Sequence, residues 1–114
     1  MEIGTVINIE ELKKSRVLDA KEMIKYLQVH RQRFWCWGAT AWTVITDKKE
    51  HMALRFYVTG LLFKGHVYLR CNGRDLMDVY FTTTKGTILN KIEDVFIEDL
   101  FDHMDKIIEI KGQY

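Results

Sequence analysis

HVYLRCNGRDLMDVYF, residues 66–81, decides the fold. Two runs rich in β-formers flank Asn72-Gly73. Asn followed by Gly is the strongest short-range hairpin signal, because both central residues of a type I′ turn need φ > 0. The reading is a two-residue hairpin with Asn72-Gly73 at its tip. Closing that turn fixes the register and assigns each side chain a face. Val67, Leu69 and Cys71 then oppose His66, Tyr68 and Arg70.

Upstream, HMALRFYV (51–58) alternates cleanly. Met52, Leu54, Phe56 and Val58 point one way, and His51, Ala53, Arg55 and Tyr57 the other. TGLLFKG (59–65) joins this strand to the hairpin and carries Leu61, Leu62 and Phe63, although loop tips are usually polar. At least one of the three is expected to be exposed in a partner or dimer contact. AWTVIT (41–46) and RFWCWG (33–38) read as strands, with DKKE (47–50) a polar turn. Downstream, TTTKGTIL (82–89) bends at Lys85-Gly86 and adds a last short strand.

The ends are helical. Asp19 caps a helix from about Ala20 to Arg31, with Glu22 completing its box and Met23, Ile24 and Leu27 at helical spacing. A second helix is expected from Ile92 or Glu93 to Ile110. Phe96, Ile97, Leu100, Phe101, Met104, Ile107 and Ile108 form its apolar stripe, and Gly112 its stop. In residues 1–18, Asn8 and Glu11 form a capping box and Ile7 and Leu12 a staple. That segment reads as a short helical arm or extension preceding a single domain of residues 19–114. The fold class is α+β: an antiparallel sheet of about four to six strands with an N-terminal and a C-terminal helix.

A hydrophobic fraction of 47% excludes intrinsic disorder. Cys36 and Cys71 are too few for a disulfide scaffold, Met1 to Ile9 does not resemble a signal peptide, and no apolar run approaches the ~20 residues of a membrane span. The expected location is the reducing cytoplasm of a bacterial host cell. The net charge of +1 conceals an asymmetry. Residues 19–70 carry nine basic side chains against four acidic, and residues 71–114 five against nine. Such a chain suits a patterned partner better than bulk nucleic acid.

Chemistry is sparse. No phosphate-cradling or dinucleotide glycine motif occurs. Asp99 and His103 stand at i, i+4 without a second ligand pair, so no metal is expected. Cys36 and Cys71 read as apolar thiols. Asp75 and Asp78 are an odd number apart, which puts them on opposite faces of a regular strand. The expectation is a protein that is not an enzyme and takes no cofactor.

Two surfaces stand out. The sheet face bearing Arg55, Tyr57, His66, Tyr68 and Arg70, with Tyr80 beside them, combines the residue types that dominate binding hot spots. Interleaved basic and aromatic side chains also suit RNA or DNA, the alternative partner. The competing reading is a sheet face covered by the first helix. On the last helix, Asp94, Glu98, Asp102, Asp105 and Glu109 form an acidic stripe that suits a basic partner or simply water.

The motif Asn-Gly-x-Asp-Leu-x-Asp-Val-x-Phe, here Asn72, Gly73, Asp75, Leu76, Asp78, Val79 and Phe81, with the terminal helix VFIEDLFDHM, resembles a set of small proteins encoded by phages and mobile elements of gut-type bacteria. The resemblance covers residues from about 20 to 108, with Met77 where the pattern often has an aromatic. Its motifs are a turn and a core pattern, so they speak to fold. The setting implies an inhibitor of host defence, of the anti-CRISPR kind. The partner implied is a ribonucleoprotein complex, specifically a type VI-B (Cas13b) effector; a second copy of the chain is the other partner considered.

Overall fold

The structure is a computed structural model that describes residues 2–12, 37–47, 50–60, 62–72 and 76–108. The expected helix from Ala20 to Arg31 lies outside those residues, as do Arg33 to Cys36, Leu61, Gly73 to Asp75 and Glu109. Strands β1 (Thr40–Asp47), β2 (Glu50–Thr59), β3 (Lys64–Cys71), β4 (Met77–Thr82) and β5 (Ile88–Val95) form one antiparallel sheet in sequence order. Helix α1 (Ile9–Leu12) precedes it and α2 (Ile97–Ile108) follows. The α+β class holds.

The organising hairpin closes differently from the two-residue tip expected at Asn72-Gly73. Cys71 pairs with Met77, and the Asn72 N–H donates to the Leu76 carbonyl at 2.8 Å, so residues 73–75 separate the two arms. The reason lies in the side chains. A tip at Asn72-Gly73 would set Val67 against Asp78 and draw a carboxylate toward the core, which is costly unless it is paired. The actual register sets Val67 against Phe81, Leu69 against Val79 and Arg70 against Asp78. Asn72 contributes its amide: Oδ1 accepts the Leu76 N–H at 3.2 Å, closing the base of the loop beside the backbone bond. A hairpin with only two intervening residues does occur, at Asp47 and Glu50.

Alternation sorts the sheet into two faces, the first buried under α2 and the second covered in part. On the first, Phe56, Val67, Leu69, Val79 and Phe81 meet Leu100, Met104 and Ile108 of α2. Trp37 joins them, fully buried, and its indole N–H donates to Asp105 at 2.8 Å. Leu62 donates its N–H to the Ile108 carbonyl at 2.9 Å, tying the β2–β3 tip to the end of α2.

The start of the last helix is corrected. Ile92 to Val95 are strand, not helix, and Ile92 pairs with Val79. Ile92, Phe96 and Leu100 recur every four residues, which imitates a helical stripe; pairing with β4 prevails because it places Ile92 against the core. Phe96 leaves the apolar stripe altogether and is 63% exposed in the connector. Asp94 adopts φ 56 where the β4–β5 register shifts, so it belongs to a strand irregularity and not to the helix face.

Residues 2–12 are built into the sheet. Gly4 and Ile7 donate their N–H groups to Ile88 and Gly86 at 2.7 and 2.8 Å, and the Ile88 N–H returns to the Thr5 carbonyl at 2.8 Å. The Asn8 side chain caps α1 by accepting the Glu11 N–H at 3.2 Å, as the capping box predicts. Ile7 and Leu12 then sit on the second sheet face, over Ala53, Tyr68, Tyr80 and Ile88. Among the described residues no helix is long and apolar enough to cross a membrane.

Candidate functional site on the second sheet face

The expected basic and aromatic residues do share a face. Arg55 pairs with Tyr68, Tyr57 with His66 and Tyr68 with Tyr80, while Arg70 pairs with Asp78. The face is divided in two by the N-terminal arm. Tyr68 and Tyr80, expected on an open surface, are 5% and 0% exposed because α1 and the arm cover them. Arg55, Tyr57 and His66 lie toward the β2–β3 tip and stay half-exposed.

The covered half is a closed polar network. Asp78 Oδ2 accepts Arg70 Nε at 3.1 Å, and its Oδ1 accepts both the Asn72 amide and the Asp94 backbone N–H at 3.0 Å. Arg70 Nη2 donates to the Tyr80 hydroxyl at 3.1 Å, and its guanidinium carbon lies 5.4 Å from that ring's centroid. Asn72 also donates to Asp94 Oδ1 at 2.7 Å. Burial pushes the Tyr80 hydroxyl up to about 12, Arg70 pulling the other way, so Tyr80 stays protonated at neutral pH. Every charge here is answered, as buried ion pairs require. This half positions the hairpin.

The open half differs. The Arg55 guanidinium donates only a long bond, Nη2 to Thr43 Oγ1 at 3.4 Å, and its Nε is buried with no acceptor. The ion pairs among the described residues are Arg70 with Asp78, and Lys91 with Glu93 and Glu2; Arg55 enters none of them. Leaving a buried donor unpaired costs about 1–3 kcal/mol. His66 lies edge-on to Tyr57, with ring centroids 5.6 Å apart, and stacks more loosely on Tyr68 at 6.5 Å. Burial first, and Arg55 second, hold the His66 imidazolium below its ordinary range, so His66 is neutral at pH 7. The result is one unanswered cation beside two half-exposed aromatic rings. Thr43, opposite Arg55 on β1, completes the group; alternation in AWTVIT could have placed it there.

The other expected site residues scatter. Leu62 is 43% exposed, as expected for one member of the tip, while Phe63 folds under the sheet against Phe81. Leu61 lies outside the described residues. The acidic stripe breaks up: Asp94 is held by Asn72, Asp105 accepts from Trp37, Glu98 and Asp102 remain exposed, and Glu109 lies outside the described residues. The Asn72–Asp78–Asp94 and Trp37–Asp105 contacts depend on tertiary register, which no local spacing announces. In comparisons with family models, with curated proteins and with solved structures, nothing matches this chain.

Proposed function

We propose that this chain is a non-enzymatic binding protein of phage or mobile-element origin that inhibits a host-defence nucleoprotein complex by occupying one of its surfaces. The observation that carries the reading is the contrast between the two arginines of one sheet face. Arg70 is answered on every side, whereas Arg55 is left with an orphaned donor next to half-exposed Tyr57 and His66. Arginine and tyrosine at a half-open position are what a binding hot spot is made of. Leu62, 43% exposed, stands at the tip of the same hairpin. The resemblance to phage and mobile-element proteins directs the reading to a type VI-B effector complex.

The test is RNA cleavage by a purified type VI-B effector complex with the chain added at rising concentration. Inhibition at micromolar concentration or below is expected. Tyr57→Ala is expected to weaken it by at least 2 kcal/mol, roughly thirtyfold. Undiminished cleavage at a large excess of folded protein would refute the target, and an unchanged Tyr57→Ala variant would refute the surface.

A further inference from the structure

We infer that Arg55 is an anion site for a phosphodiester of single-stranded RNA, with Tyr57, braced edge-on by His66, as the platform for the adjoining base. The inference rests on the binding surface proposed above and names the chemistry that surface recognises. It starts from how weakly the guanidinium is held in the protein alone. Swinging outward would cost Arg55 a single 3.4 Å bond to Thr43 and release an Nε that has no acceptor where it lies. Arg70 could make no such movement without losing Asp78 and the Tyr80 hydroxyl together. A fork of donors that gains bonds by turning toward an incoming anion suits a planar phosphate or carboxylate edge.

The surroundings select phosphate. The neighbours of Arg55 on this face are Thr43, Tyr68, Tyr57 and Ala53, with His66 and Arg70 diagonal to it; Arg70 is held by Asp78, and the others bring hydroxyls, rings and a methyl group. The exposed Lys64 stands farther along toward the hairpin tip, pairing with Thr59. Half-exposed Tyr57 can stack on a base, because every base has a π-face, while the His66 ring braces it edge-on. Arg55 and Tyr57 are two residues apart on one strand face, about 7 Å, which one nucleotide can span between its phosphate and a neighbouring base. Single strands are the form in which bases are free to stack this way.

The test is fluorescence anisotropy of a labelled single-stranded RNA 12-mer titrated with the full chain at several salt concentrations. Saturable binding is expected. Arg55→Gln should weaken it about tenfold and lower the salt slope by about one. Arg55→Lys should recover the salt slope but not the whole affinity, since it restores charge without the fork. Tyr57→Ala should weaken binding while leaving the slope unchanged. Lys106→Gln, on the exposed side of α2, serves as the comparison. Circular dichroism checks that each variant is folded. Absence of saturable binding would overturn the inference, as would equal losses in Arg55→Gln and Lys106→Gln, which would mean diffuse charge attraction. If RNA is not bound but Arg55→Gln still abolishes inhibition of the effector complex, the phosphate site falls and the binding surface stands.

Discussion

Arg70 and Asp78 face one another across β3 and β4 with Nε 3.1 Å from Oδ2, and their side chains are only 14% and 4% exposed. The pair is more than an ion pair, because Asp78 also receives Asn72 and the Asp94 backbone. One carboxylate thus ties the end of the central hairpin to the strand irregularity in β5. Asp78→Ala is therefore expected to cost about 3–5 kcal/mol, since it leaves the Arg70 charge buried and unpaired. Urea denaturation measures it, and a loss below about 1 kcal/mol would show that water replaces the network.

The tyrosines of the second face should separate by burial. Tyr68→Ala removes a ring packed under Ile7 and Leu12, and Leu12→Ala removes the cap from above. The expected costs are about 3–5 kcal/mol for the tyrosine and about 2–5 kcal/mol for the leucine. Tyr57→Ala, half-exposed, should cost well under half as much as Tyr68→Ala. Equal effects at positions 57 and 68 would mean that the arm does not cover the face in solution.

Much of this fold was legible from the chain. HMALRFYV alternates without a break, and its Leu54, Phe56 and Val58 are buried together. The capping box at Asn8 and Glu11 signalled α1. The errors arose where two signals competed. At Asn72 the backbone preference of Asn-Gly competed with the pairing of Val67 and Phe81, and burial of the core decided the register. At Ile92 an accidental four-residue spacing competed with β pairing to Val79. The candidate site was legible as a face but not as a boundary. No local pattern shows that the first dozen residues return to cover Tyr68 and Tyr80, because that contact joins residues some sixty positions apart.

Gly65 provides a test of the tight crossing between β3 and β4. It has φ +154, and a Cβ there would run into the Thr82 backbone carbonyl, which cannot rotate away, and would press on the Phe63 ring. Gly65→Ala is expected to destabilise by more than about 1 kcal/mol, the reverse of the gain usual where alanine fits. Thermal melting of the variant beside wild type decides it, and an unchanged or raised midpoint would show that the strands can separate there at little cost.

His66 makes stability depend on pH in a window that can be assigned. Its folded-state value lies below the ordinary 6.5, first through burial and then through Arg55. The unfolded chain therefore binds the proton more readily than the folded one. The sign follows directly: stability rises with pH wherever the unfolded state holds more protons. The contribution of His66 is complete above about pH 6.5, where the imidazole is neutral in both states. It is lost as pH falls from there through the depressed folded value. His66→Gln removes the titration, so the drop in unfolding free energy between pH 7.5 and pH 5.5 should be smaller in the variant than in wild type. Arg55→Gln should recover only part of that difference, because burial remains as the larger cause. Urea denaturation of the three proteins at both pH values provides the measurement. A wild-type drop equal to that of His66→Gln would mean that the imidazole is as well solvated in the folded protein as in the unfolded chain, and the open half of the sheet face would then be wetter than its geometry shows.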